Sequence, residues 1–257
     1  MTAILNHPAF PQPDADQTTI WRYSDFAKLV AMLQTASLYF ARIDQLKDRF
    51  EGTLSKVEFE HLKAIATKGE ADESIPSEWR GKYFDVLMRN ARVARCSNYV
   101  SCWHLDESES EAMWQLYARS GYAIAIQSTY TKLASALPEH YLNGCYMGLM
   151  TYADHHSAAL PDGNIFYPIM HKRPAFAHER EVRVVIWAGD SGLGKEEQLL
   201  ASPIGLQIPV SLDHLIDQVV VSPLAEPWFA EIVSKTCAKY GLTAKVVQSE
   251  LLKPPYI

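Results

Sequence analysis

The decapeptide His178–Trp187, HEREVRVVIW, alternates between two kinds of side chain with a period of two. That period belongs to a β-strand, whose successive side chains leave opposite faces. The spacing predicts a strand over His178–Val185, running on to Trp187, with Glu179, Glu181, Arg183 and Val185 on one face. Arg180, Val182, Val184 and Ile186 take the other. The chain must therefore build a sheet whose one side is apolar and whose other side carries two carboxylates and a guanidinium. Two readings of that second side stay open. It is a half-exposed surface on which Arg183 neutralises the like-charged carboxylates, or it lines a cleft where paired carboxylates meet a cationic or hydroxyl-rich substrate.

Strands are expected at Thr19–Ser24, Leu38–Ala41, Tyr99–Trp103, Tyr122–Gln127, Cys145–Tyr152, Gly205–Pro209, Ile216–Ser222 and Ala244–Ser249. Helices are expected at Phe26–Gln34, Ser55–Thr67, Pro76–Ala94, Ser108–Arg119, Thr129–Leu137 and Pro227–Tyr240. Ser24 or Asp25 is placed to cap the first helix, and Ser108 with Glu111 forms an S-x-x-E capping pattern that turns Ala112, Met113 and Leu116 inward. Strands and helices mix without strict alternation, so the class is α+β rather than a doubly wound sheet. Residues 1–18 carry Pro8, Pro11 and Pro13 among polar neighbours and are expected to be flexible. Residues 19–257 then form a single α+β domain, with a helical insertion at about 55–95.

A chain of 257 residues with 48% hydrophobic and 21% charged residues can bury a sizeable core. It has no apolar run long enough to span a membrane, and its start is a poor signal peptide. The four scattered cysteines, Cys96, Cys102, Cys145 and Cys237, form no CxxC pair and read as thiols of a cytoplasmic protein. A net charge of −6 argues against a broadly basic nucleic-acid binder. Arg89, Arg92 and Arg95 recur every three residues and read first as a solvated helix face and second as a local basic groove.

Weaker constellations accompany the charged strand. Cys102 and His104 lie two apart in SCWH, too few for a metal site and without a visible catalytic partner. Trp103, Trp114, Tyr117 and Tyr122 read first as core and second as a stacking surface for a base; Trp114 and Tyr117 share a helix face. His155 and His156 read as surface residues, and GLGK at 192–195 as a turn rather than a phosphate loop.

Taken in order, IWRYSDFAKLVAMLQTASLYFARIDQLKDRFEG, SCWHLDESESEAMWQLYARSGYAIAI, KRPAFAHEREVRVV and the closing VVVSP and YGLTAKVVQSEL resemble an uncharacterised, mostly bacterial family, domain-of-unknown-function family 2971. The resemblance runs from about Trp21 to Leu251. More distantly, the chain is similar to ADP-ribosyltransferase domains. Arg22 on the first strand, Ser101 on the YVSCW strand and Glu181 on the Glu-x-Glu strand fall in the chain order of those domains' three marker residues.

That second resemblance implies a split central sheet and NAD as substrate, with no metal. Glu181 would hydrogen-bond the ribose 2′-hydroxyl and stabilise an oxocarbenium-like state, and Glu179 would orient or deprotonate the acceptor. Arg22 would hold the diphosphate or the adenosine ribose, with Tyr23 beside it, and Ser101 would position the nicotinamide-side ribose. Tyr39, Trp103 and Trp114 would supply stacking walls, and Arg183 would pre-orient a carboxylate or bind phosphate. The acceptor would be a protein or nucleic acid, as for a toxin or defence effector. The alternatives are a non-catalytic nucleotide- or protein-binding module of the same fold, and a hydrolase gathering Glu179, Glu181 and Asp48 around a divalent metal.

Overall fold

The structure is a computed structural model and describes the chain except residues 1–2, 16, 71–72, 74–75, 77–81, 118–120, 139–143, 162–163, 189–201, 254 and 256–257. Its strands are β1 (Thr19–Asp25), β2 (Ser37–Arg42), β3 (Asn98–Leu105), β4 (Ala123–Thr129), β5 (Cys145–Leu149), β6 (Thr151–Tyr152), β7 (His171–Lys172), β8 (Glu181–Trp187), β9 (Gly205–Pro209), β10 (Gln218–Val221) and β11 (Lys245–Gln248). The helices are α1 (Phe26–Thr35), α2 (Lys56–Glu70), α3 (Tyr83–Cys96), α4 (Glu111–Tyr117), α5 (Tyr130–Ala136), α6 (Leu212–Leu215) and α7 (Pro227–Lys239). This is an α+β fold around one large, mostly antiparallel sheet.

β3 is the trunk of the sheet. Along one edge it pairs with β8 over its whole length up to His104, from Asn98 opposite Trp187 to His104 opposite Glu181. Along the other edge it pairs twice. β1 takes its end, with Ile20 and Trp21 opposite Leu105 and His104, and β2 takes its beginning, with Ala41 and Arg42 opposite Val100 and Tyr99. Ser101, Cys102 and Trp103 lie between the two and pair with neither, so the sheet is split there. One arm continues from β1 through β4 and β10 to β11; the other runs from β2 to β9; β5 closes the far edge of β8.

Both faces are covered. Ile20, Leu38, Phe40, Trp103, Ile126, Val182 and Val184 point to one side, where Leu29 and Leu33 of α1, Leu133 of α5 and Phe229 and Val233 of α7 complete the main core. Val100 and Val185 point to the other side, against Phe10, Ile43, Phe166 and Met170. Trp21, Tyr23, Met113 and Trp114 form a third cluster. The β10–α7–β11 unit is parallel, as the sequence suggests, with Gly241 at φ 81 just beyond the helix. Asp25 caps α1 by accepting from the Lys28 N–H at 2.8 Å.

Several expectations are corrected. The N-terminal segment is packed: Phe10 is 2% exposed, Ile4 bridges to Tyr146, and a Cβ on Gly148 would meet Phe10 at 2.7 Å. Phe10 and Ala9 are the apolar residues that the polar surroundings concealed. The strand expected from His178 begins at Glu181, because Pro174 starts a 3-10 helix that runs through Glu179, and Arg180 turns left-handed at φ 38. The half-exposed alternative also fails, since Glu181 through Ile186 are all buried. In α4, Met113 and Trp114 are buried while Leu116 is exposed, and it is the Ser110 Oγ, not Ser108, that accepts from the Met113 N–H. His155 is buried against Phe50, whereas His156 is exposed. The GLGK turn lies outside the described residues.

Candidate active site

Arg22 occupies the split. It leaves β1 on the main-core side, and its guanidinium donates through Nη1 to Ser101 Oγ at 3.0 Å and through Nη2 to the Tyr39 carbonyl at 3.1 Å. One side chain thus ties β1 to β3 and β2. It also lies over the Trp103 ring, 5.6 Å from the centroid. No carboxylate pairs with it among the described residues, and burial holds its pKa below the ordinary value. A guanidinium in this condition, partly open to a cavity, presents its charge to an anion.

That cavity has a volume of about 550 Å³. Arg22, Ser101 and Trp103 line it at the split; Tyr23, Tyr39 and Tyr117 give it aromatic walls; Glu179 and Glu181 also line it. Of the nine residues singled out from the sequence, seven meet this cavity. Trp114 does not: it is buried behind Tyr23, ring centroids 5.0 Å apart, with its indole N–H donating to Glu109 at 3.0 Å. Arg183 does not either, being 0% exposed.

Arg183 and Glu181 instead belong to a buried ionic cluster. Arg183 Nε donates to Glu181 Oε1 at 2.6 Å, Nη1 to the Ile169 carbonyl at 2.7 Å, and Nη2 to Glu51 Oε2. Lys172 Nζ reaches Glu179 Oε2 at 2.6 Å, Glu181 Oε2 at 3.1 Å and Glu51 Oε1 at 3.3 Å. The Tyr152 hydroxyl accepts from the Glu181 N–H at 2.8 Å. Burial by itself would push the Glu181 carboxyl up; Arg183 and then Lys172 outweigh it and pull the pKa down to about 2. Burial likewise opposes the Lys172 charge, but Glu181 and Glu51 raise its pKa above the ordinary value.

No family model, curated protein or solved structure matches the chain. The chemistry has to be read from the site itself.

The register decides which groups stand side by side. Paired residues of an antiparallel ladder share a face, and Ser101 is opposite Val184 while His104 is opposite Glu181. Ser101 and Glu181 therefore leave the sheet on opposite sides, and the cavity meets both because the sheet is split between them. Ser101 serves Arg22 rather than Glu181. Cys102 and His104 are on the Glu181 side, yet they do not form a nucleophile and base. Burial, with Glu181 next in effect, raises the Cys102 pKa, and His104 Nδ1 is held by the Glu179 carbonyl at 2.6 Å, with burial lowering the ring's pKa.

The metal-hydrolase alternative loses its third carboxylate, because Asp48 receives Arg173 at 2.9 and 3.2 Å. Among the described residues no three of His, Cys, Asp and Glu are grouped to share an ion, and no helix is long and apolar enough to cross a membrane.

Lys172 and Glu51 were not singled out from the sequence. Glu51 had one local signal, the glycine that follows it. Gly52 adopts φ 70, and a Cβ there would meet Ile43 at 2.8 Å, so the turn next to Glu51 packs closely on Ile43. Lys172 had none, since its neighbour Arg173 looks equivalent in sequence and points instead to Asp48.

Proposed function

We propose that the cavity binds NAD and that the protein is an ADP-ribosyltransferase-like enzyme acting on a macromolecular acceptor, as a toxin or defence effector would. The observation that carries this is the meeting of Arg22 and the carboxylates Glu179 and Glu181 on one cavity of about 550 Å³. A space of this size suits a nucleotide-sized ligand. Arg22 suits a diphosphate, and the aromatic side chains of Tyr23, Tyr39 and Trp103 line the cavity. Carboxylates on the cavity wall would stabilise positive charge developing on a ribose bound there. The split sheet is consistent with the distant resemblance. An intracellular setting, in which the four free cysteines stay thiols, belongs to the same proposal.

Incubation of the pure protein with NAD tests it. Nicotinamide release, with ADP-ribose transferred once an acceptor is supplied, is the expected result, and Glu181→Gln should lose more than about tenfold. Absence of both NAD binding and thermal stabilisation by NAD would sink the proposal. A second reading, a module that binds a nucleotide without cleaving it, is favoured by one feature: both Glu181 oxygens are already engaged by Arg183 and Lys172. Calorimetric binding of NAD with no nicotinamide release would select it.

A further inference from the structure

Three carboxylates, Glu51, Glu179 and Glu181, meet two cations, Lys172 and Arg183, in the buried cluster. Glu51 and Glu181 each give both oxygens to those cations. Glu179 gives one. Its Oε2 accepts from Lys172, while its Oε1 has no partner among the described residues. Glu179 is also the most open of the three, its side chain 16% exposed against 3% for Glu181 and 5% for Glu51, and it lies on the cavity wall.

The backbone is shaped for this. On a regular strand, two carboxylates two residues apart would stand in file about 7 Å apart. Here the left-handed Arg180 separates the 3-10 helix from β8, and both carboxylates converge on one ammonium. A non-glycine residue at φ 38 is held there by its surroundings. The Arg180 carbonyl accepts from the Leu105 N–H at 2.9 Å, its guanidinium pairs with Asp106 at 2.9 Å, and the Glu179 carbonyl is fixed by His104. Lys172 in turn sits over the Phe176 ring, 5.0 Å from its centroid.

We propose that Glu179, and not Glu181, is the carboxylate that contacts the bound ligand, offering Oε1 to a hydroxyl or cationic group, and that Lys172 is the positioning residue that aims it. A cluster serving the fold alone would be complete without Glu179, because Glu51 and Glu181 already match Lys172 and Arg183 in charge. Of the two carboxylates that line the cavity, the surplus one is the one whose second oxygen has no partner among the described residues. The ligand's identity rests on the NAD reading; the division of roles rests on the cluster.

The test compares Glu179→Gln, Glu181→Gln, Lys172→Met and Lys172→Arg in the full chain, by thermal unfolding and by nicotinamide release from NAD. Glu179→Gln should unfold at the wild-type temperature or above it, and Glu181→Gln several degrees below. Glu179→Gln should lose at least about a hundredfold in nicotinamide release while remaining folded. Lys172→Met should move the acid limb of the pH–rate profile upward, and Lys172→Arg should restore it. If Glu179→Gln is destabilised as much as Glu181→Gln, Glu179 is a structural member of the cluster and the proposal is overturned, with or without NAD. If wild type releases nicotinamide and the folded Glu179→Gln keeps its rate, the proposal is overturned as well; if the unfolding order holds but wild type neither binds nor consumes NAD, the NAD reading falls while Glu179 remains the carboxylate the fold does not need.

Discussion

Glu51 is 4% exposed and shares its two oxygens between Lys172 and Arg183, the latter with no exposure at all. Deleting one partner of a buried ionic group leaves charge uncompensated where water cannot reach it. Glu51→Ala is therefore expected to cost about 3–5 kcal/mol in urea unfolding, and a loss below about 1 kcal/mol would show that the cluster relaxes around the gap. Acid should expose the same cluster through Glu181. Its folded pKa of about 2 lies below its ordinary 4.5, so its contribution is present above pH 4.5 and is lost as the pH falls from there towards 2. The contribution is on the order of 3 kcal/mol. Unfolding free energy measured across that interval should fall more steeply for wild type than for Glu181→Gln; parallel curves would refute the assignment. At this scale the sequence was half legible. Alternation placed Glu181 and Arg183 on one face, but a strand pattern cannot say that the face is buried, nor that a lysine nine residues upstream and a glutamate 130 upstream complete the charge balance.

Elements were legible where their ends carry local chemistry. Pro227 at the start of α7 and Gly241 beyond its end bracket that helix in the sequence as they do in space. The S-x-x-E pattern was read at Ser108, whereas the reciprocal box forms at α2: Ser55 Oγ accepts from the Glu58 N–H at 3.2 Å and Glu58 Oε2 accepts from the Ser55 N–H at 2.7 Å. Ser108 lost the role because burial of Met113 and Trp114 starts α4 at Glu111, where Ser110 is the nearer cap. The C-terminus of α1 went unread for another reason. It ends on Ala36 at φ 44, ψ 45, a left-handed cap that glycine normally fills. Ala36 carries the steric cost of that conformation, about 1–2 kcal/mol. Ala36→Gly should raise stability by about 0.5–1 kcal/mol once the greater freedom of glycine in the unfolded chain is offset. Chemical denaturation measures it, and a destabilised variant would mean that the Ala36 methyl has packing value.

The whole molecule turns on the split between β1 and β2, a feature that the residue pattern could not place and that only the distant resemblance suggested. Strand order and register are long-range choices, and a shift of one residue between β3 and β8 would have put Ser101 on the same face as Glu181. What the chain order did show was that Arg22 precedes Ser101, which precedes the carboxylate strand; what it could not show was that Arg22 bridges two arms of one sheet. The Arg22 guanidinium joins the β1 arm to Tyr39 of the β2–β9 arm and to the stretch of β3 that pairs with neither β1 nor β2. Charged hydrogen bonds of this kind are worth about 1.5–3 kcal/mol each before the cost of desolvation. Arg22→Met should therefore loosen one arm more than the other. Amide exchange across β2 and β9 is expected to quicken by about tenfold, equivalent to roughly 1.4 kcal/mol, while β1, β4 and β10, which keep their full ladder, stay protected. If NAD is the ligand, as proposed, its affinity should fall in the same variant, since the guanidinium facing the cavity is gone. Uniform quickening over both arms would mean that Arg22 supports the sheet as a whole, and unchanged exchange would mean that the split is held by the strands without it.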